Sequence, residues 1–422
     1  MNRALILGGA QTDFATSWSR TPTGVFDLLR DVVPRGLEDA AVPPEVIASL
    51  VPEGRVGVFV GNFDGQEWMR QGHLGATLSE VDPAFAGVSG ARYEAACASG
   101  SVALDAAATK IRAGEIDLAV VVGIEIMRSV DAKKIADFLG TCALYEDEAR
   151  GVDFVFPKMF GQITDHVIEK AEVPESRIVD ALTQIARTNH DNAKRNPRAQ
   201  TRRWGFDDER AQQRERDYNP YLGGRTRYLD CSQITDGGAV VVLASESFAA
   251  AHAKRTGRAR PMAAIEGWGH REAPIRFLPK LEASDGKANL LPWTRRAIAD
   301  AYARAGVTVD QIDVIETHDC FTVSEYLHLS AFGIAEPGHE YRAVEEGRIG
   351  PQGSLPVNPS GGLIGAGHPV GATGVRMALD LSRQVTGHAG DTQVEGARRG
   401  AMLNIGGSFT TNMSFVIGRV EH

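Results

Sequence analysis

Two cysteines and two histidines in three short motifs have the residue types for acyl or proton transfer. Cys97 stands in EAACASGS, directly before a stretch with helical apolar spacing. A helix N terminus presents unpaired N–H groups and partial positive charge, which favour the nucleophilic thiolate over the thiol. Free cysteine is also a common packing residue. For Cys97 alone both interpretations stay open.

His318 and Cys320 belong to the second motif, ETHDCF (316–321), which ends an apolar strand. Alternate residues of a strand share a face, so His318 and Cys320 should point together while Asp319 points away as structural support. His318 could donate to an oxyanion, and Cys320 could act as acid or base. A zinc site lacks further ligands at suitable spacing, so we predict no metal.

His368 lies in a glycine-rich segment, NPSGGLIGAGHPVGATG (358–374), whose composition indicates close approach of the backbone to a ligand or another chain. The segment is neither a Walker A loop nor a dinucleotide fingerprint. Near the carboxyl end, NIGGSF (404–409) could offer backbone N–H groups of Gly406 and Gly407 to an oxyanion. A tight hairpin turn explains the same residues and is compatible with that role.

The elements that must position these residues occur twice. Strand, helix and strand follow one another at 3–14, 26–50 and 55–63, and again at 260–270, 290–312 and 313–321. A small-residue turn opening a helix recurs at 96–117 and 366–387, and paired strands close each copy. This alternation predicts stacked α/β sheets with helices around and between them. If the halves pack about a pseudo-twofold axis, Cys97 and His368 meet as nucleophile and base.

Composition limits the remaining function classes. The 422 residues are 43% hydrophobic and 23% charged, with no apolar run near the ~20 residues of a membrane span. A net charge of −9 argues against nucleic-acid binding. Four cysteines without CxxC spacing predict free thiols in a cytoplasmic protein, with Cys142 and Cys231 as packing residues. The run at 187–203 carries six Lys/Arg and one Asp, which fits either a solvated surface or an anion site.

Taken together, these motifs resemble the thiolase superfamily over nearly the whole chain. GGAQTDF, CAS (97–99), DGGAVVVLAS (236–245), GHPVGATG (367–374) and the closing IGG carry the resemblance. It implies a five-layered αβαβα fold of two duplicated halves with an inserted loop domain. The expected boundaries are 1–122 with 237–259 for the first half, 123–236 for the insertion and 260–422 for the second half.

Two departures from ordinary thiolases resemble the sterol-carrier-protein type. His318-Asp319-Cys320-Phe321 replaces an Asn-Glu-x-Phe motif, and Asn404 stands where a second catalytic cysteine is expected. The resemblance implies that Cys97 becomes acylated with help from His368, while His318 and His368 hold the thioester oxyanion. Cys320 would carry the proton in place of the missing cysteine. Backbone N–H groups of Cys97 and Gly406 would bind the oxyanion on the acyl-enzyme.

The same resemblance implies a substrate and partners. We expect a 3-ketoacyl-CoA or acetyl-CoA substrate in lipid metabolism, coenzyme A as substrate or product, no other cofactor, and a homodimer or tetramer. Met159, Phe160 and Phe321 would contact the pantetheine, and the 187–203 run would face the phosphates of coenzyme A. The alternatives are acyl transfer to a non-CoA acceptor such as a phenol, a retro-aldolase, and a non-catalytic CoA-binding scaffold. Cys97 argues against the retro-aldolase, and the full catalytic set argues against the scaffold.

Overall fold

The computed structural model describes residues 3–207, 210–211, 218–257, 261–283 and 291–420. Strands and helices alternate along most of this chain. The strands are β1 Ala4–Gln11, β2 Val56–Gly61, β3 Ser89–Tyr93, β4 Leu118–Glu125, β5 Tyr221–Gly223, β6 Thr226–Arg227, β7 Gly237–Ser245, β8 Met262–Glu272, β9 Val314–Thr317, β10 Arg399–Gly406 and β11 Thr411–Val420. The α-helices are α1 Val25–Asp39, α2 Pro44–Leu50, α3 Gly65–Met69, α4 Ser99–Arg112, α5 Ala132–Gly140, α6 Val155–Lys170, α7 Glu175–Arg195, α8 Glu246–Thr256, α9 Phe277–Glu282, α10 Pro292–Ala305, α11 Thr322–Phe332, α12 Glu340–Glu345, α13 Gly362–Ala366 and α14 Thr373–Thr386.

The strand order of the main sheet mirrors itself about its middle. It runs β3-β2-β4-β7-β1 through the first half and β8-β11-β10-β9 through the second. β7 and β11 pair antiparallel with their neighbours, whereas β2 pairs parallel with β3 and β4, and β9 pairs parallel with β10. Two residue pairs, Leu5–Ala264 and Ile6–Ala263, join the halves between β1 and β8. This symmetry is the one that the duplicated sequence predicts.

Three apolar cores define five layers, as predicted. On β7 the alternation of side chains separates two of them: Val240 faces α1, and Val241 faces α4 and α14. The central core contains Leu104 of α4 and Leu379 of α14, with strand residues from both halves. An outer core joins α10 and α11 to the second-half strands, for example through Val416. The order of layers is therefore helices, the first-half strands of the main sheet, α4 with α14, the second-half strands, and helices.

The insertion between β4 and β7 contains α5, α6, α7 and the β5–β6 ribbon. β4 continues to Glu125, three residues past the predicted boundary at 122. The predicted boundary at 259 and 260 lies outside the described residues, so the domain division stays a prediction. In the described part of the chain, no helix has the length and apolarity to cross a membrane.

Candidate active site

Cys97 lies in a 3-10 turn at 96–98, immediately before α4. The turn is conformationally strained, since Ala96 has a φ of +51°. The side chain of Ser99 stabilises this turn. Its Oγ accepts a hydrogen bond from Ala95 N at 2.9 Å and donates one to Ala96 O at 2.6 Å. The thiol is thus fixed at the point where the central helix begins.

Close packing of two glycines brings the His368 loop against this turn. A Cβ on Gly100 would lie 2.7 Å from Gly371 O, and a Cβ on Gly374 would lie 2.6 Å from Asn404 Oδ1. Both distances are too short for a side chain. Only glycine at these positions lets the first turns of α4 and α14 touch, which is the convergence that the duplication predicted.

Two buried histidines meet at this contact. His318 Nδ1 lies 2.9 Å from Asn404 Nδ2, and His368 Nδ1 lies 2.7 Å from Thr373 Oγ1. The rings are edge to face with centroids 5.0 Å apart, and neither Nε2 has a hydrogen-bond partner in the described part of the chain. Ligand atoms of Cys97, His318 and His368 all lie within 4.8 Å of one another. The predicted nucleophile, base and oxyanion donor are therefore assembled.

Burial keeps these groups uncharged. It raises the pKa of Cys97 to about 12 and lowers that of His368 to about 3. The pKa of His318 also falls well below its usual value, through burial and then through His368. Desolvation of the half-buried Cys97 therefore opposes the thiolate that the helix N terminus was expected to favour. Deprotonation of Cys97 must accompany attack on the substrate.

Sulfur and imidazole nitrogen are also zinc ligands. The group formed by Cys97, His318 and His368 has the donor types of such a site. Zinc binds the thiolate, whereas burial favours the thiol here. The expected absence of a metal stays a prediction.

The side chains of Cys320 and Asp319 point in different directions, as predicted, but strand alternation is not the cause. β9 ends at Thr317, so the strand alternation invoked from the sequence does not extend over them. Asp319 is turned away because its carboxylate accepts Leu363 N and Ile364 N at the start of α13, and Asn189 Nδ2. Cys320 instead lines the cavity in front of Cys97. Burial raises the pKa of Cys320, and the nearby Cys97 and Asp319 raise it further.

The Gly406-Gly407 turn lies beside the nucleophile. Gly406 ends β10, where it pairs with Thr411, and its N–H as an oxyanion donor stays a prediction. The backbone N–H groups of Gly407 and of Cys97 itself lower the pKa of the Cys97 thiol against the effect of burial. Gly407 has a φ of +61°, the turn conformation that the Gly-Gly pair signalled.

The cavity in front of Cys97 has a volume of about 270 Å³ and a mostly apolar wall. Phe160 and Phe321 line it as predicted and stack with ring centroids 4.1 Å apart. Met159 belongs to the same apolar core as these two residues but does not line the cavity, so its expected contact with pantetheine is not supported. Phe154, Leu222 and Tyr228 form a partly exposed apolar rim.

The remaining cysteines also face this cavity. Cys142 and Cys231, expected to be packing residues only, both line its wall together with Cys97 and Cys320. Burial raises the pKa of each well above its usual value. Sequence spacing gave no signal for this clustering, because the residues come from separate loops.

The basic run at 187–203 lies elsewhere. Arg187 and Lys194 flank Asp191 on α7 at 3.7 and 2.6 Å, and Arg202 pairs with Asp13 at 2.8 Å. No residue of the run lines the cavity, and no Lys or Arg is among the described residues of its wall. The expected contact between this run and the phosphates of coenzyme A is therefore not supported.

Comparison with known proteins identifies the family of this chain. The thiolase N-terminal domain profile matches residues 4–209, and the thiolase C-terminal domain-like profile matches residues 283–419. The acetyl-CoA acetyltransferase of Methanothermobacter thermautotrophicus is 30% identical over 428 residues, which cover 99% of this chain and 100% of the relative. Sterol carrier protein 2 of Homo sapiens is 27% identical over 420 residues, covering 96% of this chain and 70% of the relative.

A solved structure supports the fold alone. The chain titled Ltp2-ChsH2(DUF35) aldolase has a TM-score of 0.74 and 17% identity. The match covers 99% of this chain and 97% of that one.

Proposed function

Because this chain belongs to the thiolase family and is a thiolase-type acyltransferase, we propose that it makes or cleaves the carbon–carbon bond of a 3-ketoacyl-CoA through an acyl-Cys97 intermediate. The observation that carries the proposal is the meeting of Cys97, His318 and His368, two of which, Cys97 and His368, line one apolar cavity together with Cys320. This activity is that of an acetyl-CoA C-acyltransferase.

His368 is suited to be the base. The hydroxyl of Thr373 donates to Pro369 O at 3.0 Å, so its single proton is engaged there. The same oxygen then accepts the Nδ1–H of His368 at 2.7 Å. The proton of the neutral ring is on Nδ1, and the unpartnered Nε2 presents its lone pair. That lone pair can take the proton of Cys97 as the sulfur attacks.

In the cleavage direction the sulfur of Cys97 bonds to the C3 carbonyl carbon while His368 Nε2 takes its proton. The C3 oxyanion accepts from the backbone N–H of Cys97 and of the Gly406-Gly407 turn. The C2–C3 bond then breaks, leaving an acyl group on Cys97 and an enolate of acetyl-CoA. Its oxygen accepts from His318 and from the newly protonated Nε2 of His368, and the thiol of Cys320 protonates C2. A raised pKa suits Cys320 for that step, because it keeps the proton available.

The second half of the cycle restores every group. The thiol of coenzyme A gives its proton to the Cys320 thiolate and attacks the acyl carbonyl carbon. The bond from that carbon to Cys97 breaks, and the departing sulfur recovers its proton from His368. Synthesis is the reverse sequence, in which the Cys320 thiolate removes a proton from the α-carbon of the acyl-CoA nucleophile.

One observation favours a second candidate, in which acyl-Cys97 passes its group to a non-CoA acceptor such as a phenol. The described wall of the cavity has no Lys or Arg for phosphate groups, and aromatic side chains dominate its mouth. The four-residue set of Cys97, His318, Cys320 and His368 remains an argument against a non-catalytic scaffold.

The test is a pair of turnover assays on the purified chain, with Cys97→Ser as control. Loss of acetoacetyl-CoA that depends on added coenzyme A supports thiolysis. Acyl transfer to a phenol without that loss supports the second candidate. If neither reaction exceeds the Cys97→Ser background, the proposed function is wrong.

We also propose a homodimer or tetramer and a cytoplasmic location, as the family resemblance and the cysteine usage imply. β3 is one of the two edge strands of the main sheet and its residues 89–91 are exposed, which leaves room for a second copy. Light scattering after size exclusion tests the oligomer, and a monomer at micromolar concentration refutes it.

A further inference from the structure

Asn404 occupies the β10 position at which a second catalytic cysteine was expected, and it makes three hydrogen bonds inside the catalytic cluster. Its Nδ2 donates to Cys97 O at 3.1 Å and lies 2.9 Å from His318 Nδ1. Its Oδ1 accepts the hydroxyl of Ser101 at 2.7 Å. The side chain is fully buried. Asn404 therefore connects the nucleophile turn to the oxyanion donor.

The chemistry of these partners fixes which way the amide points. A backbone carbonyl can only accept a hydrogen bond, so the amide end that faces Cys97 O must be the nitrogen. Reversing the amide would set two oxygens against each other at that place. The hydroxyl of Ser101 can donate to the amide oxygen or accept from the amide nitrogen, so it is compatible with this orientation of Asn404. The two protons of Nδ2 are then directed to Cys97 O and to His318 Nδ1.

We propose that Asn404 is a positioning residue that locks His318 in the tautomer with its proton on Nε2. An Nδ1 that accepts from the amide has no proton of its own, so the neutral ring must carry it on Nε2. That Nε2 is buried and has no hydrogen-bond partner among the described residues, and a ring nitrogen of His318 lies within 4.8 Å of the Cys97 and His368 ligand atoms. The proposal rests on the proposed function for its catalytic consequence only.

The two histidines then hold opposite tautomers across a centroid distance of 5.0 Å. Thr373 leaves His368 with a bare Nε2 that accepts a proton, while Asn404 leaves His318 with an Nε2–H that donates one hydrogen bond. His318 can therefore stabilise an oxyanion without becoming charged in its buried position. A cysteine at position 404 would offer only a weak hydrogen-bond donor and a weak acceptor. It would therefore not fix the proton of His318 on one ring nitrogen.

The first test replaces the amide by a carboxylate. In Asn404→Asp the side chain only accepts, so His318 must present its proton from Nδ1, and a neutral His318 loses its Nε2–H. We expect kcat for acetoacetyl-CoA cleavage to fall about 100-fold at pH 8, the effect of losing one oxyanion donor. The carboxylate also favours a cationic His318, which regains Nε2–H. The rate relative to wild type should therefore rise about tenfold for each pH unit lowered, until His318 is protonated.

Asn412→Asp is the matched control. Asn412 is also buried, on the adjacent strand β11, and donates to the backbone carbonyl of Phe409 at 2.9 Å, but it does not contact His318. It should lose stability without gaining activity toward acid pH. If both variants show the same pH profile, the role of Asn404 is structural and the proposal fails.

The second test reads the tautomer without turnover. In protein labelled with 15N-histidine, two-bond 1H–15N correlations distinguish protonated from bare ring nitrogens, and His318→Gln identifies the His318 signals. We expect a bare Nδ1 and a protonated Nε2 in wild type, and the reverse or a cation in Asn404→Asp. A protonated Nδ1 in wild type overturns the proposal. A protein with the expected tautomer that forms no acyl-Cys97 refutes the proposed function and leaves the assignment of Asn404 standing.

Discussion

Gly100→Ala tests whether contact between α4 and the His368 loop sets the catalytic geometry. The new Cβ would lie 2.7 Å from Gly371 O and 3.0 Å from Val375 N, both backbone atoms that cannot rotate away. An ordinary contact begins near 3.4 Å. Relief therefore requires that the turn bearing Cys97 move away from the loop bearing His368 by somewhat less than 1 Å.

Two opposing contributions set the change in the free energy of unfolding of Gly100→Ala, and the displacement of the turn sets the change in its acylation rate. Alanine is favoured over glycine inside a helix by about 1 kcal/mol. Overpacking of a filled core costs about 1–3 kcal/mol, so the net loss of unfolding free energy at Gly100 should be about 0–2 kcal/mol. A displacement near 1 Å can cost about 100-fold in rate. We therefore expect a folded protein whose rate of Cys97 acylation falls by roughly 10- to 100-fold.

The assay measures acylation of Cys97 by mass spectrometry at fixed times after mixing with acetoacetyl-CoA, together with urea unfolding. Gly72→Ala is the control, because a Cβ there meets no atom of the described residues within 4 Å and its φ is not in the left-handed region. Gly72→Ala should leave both quantities unchanged. A Gly100→Ala protein that acylates at the wild-type rate would refute the account of how the two loops are held together.

Three further predictions concern single side chains. His318→Ala should lower kcat about 10²- to 10³-fold in steady-state cleavage of acetoacetyl-CoA, because an oxyanion donor is lost; a loss below threefold contradicts that role. Cys320→Ala should still form acyl-Cys97 on incubation with acetyl-CoA but turn over slowly, and loss of the adduct would assign Cys320 a role in acylation instead. Burial lowers the pKa of Lys280 from 10.5 to about 8. The unfolded chain then binds more protons between these values, so stability should rise by about 3 kcal/mol from pH 8 to 10.5. Urea unfolding of Lys280→Met should lack that rise, and an identical pH dependence would exclude Lys280 as its source.

The sequence predicted the fold and the convergence of Cys97 and His368 because both depend on repeated elements. Strand and helix periods recur in the two halves, and the pseudo-twofold axis follows from their order. Which N–H of the Gly406-Gly407 pair lies beside the Cys97 sulfur could not be predicted, because a one-residue difference in a turn has no signature in apolar spacing. The same limit applies to the end of β9 at Thr317.

Predictions that required a three-dimensional environment are the ones that the structure does not support. The protonation state of Cys97 depends on how completely the cavity desolvates it, which a helix N terminus alone does not reveal. Met159 lies beside Phe160 in sequence, but only Phe160 faces the cavity. Charge at 187–203 indicated an anion site, yet partners such as Asp191 and Asp13 neutralise much of it.

The central claim is that Cys97 carries the acyl group. Peptide mass spectrometry after incubation with acetoacetyl-CoA should find an acetyl adduct on Cys97, which disappears when coenzyme A is added and is absent from Cys97→Ser. His368→Ala should slow its formation without moving it to another residue. An unmodified Cys97 in folded wild-type protein, or an adduct located on Cys142, Cys231 or Cys320 instead, would contradict the account.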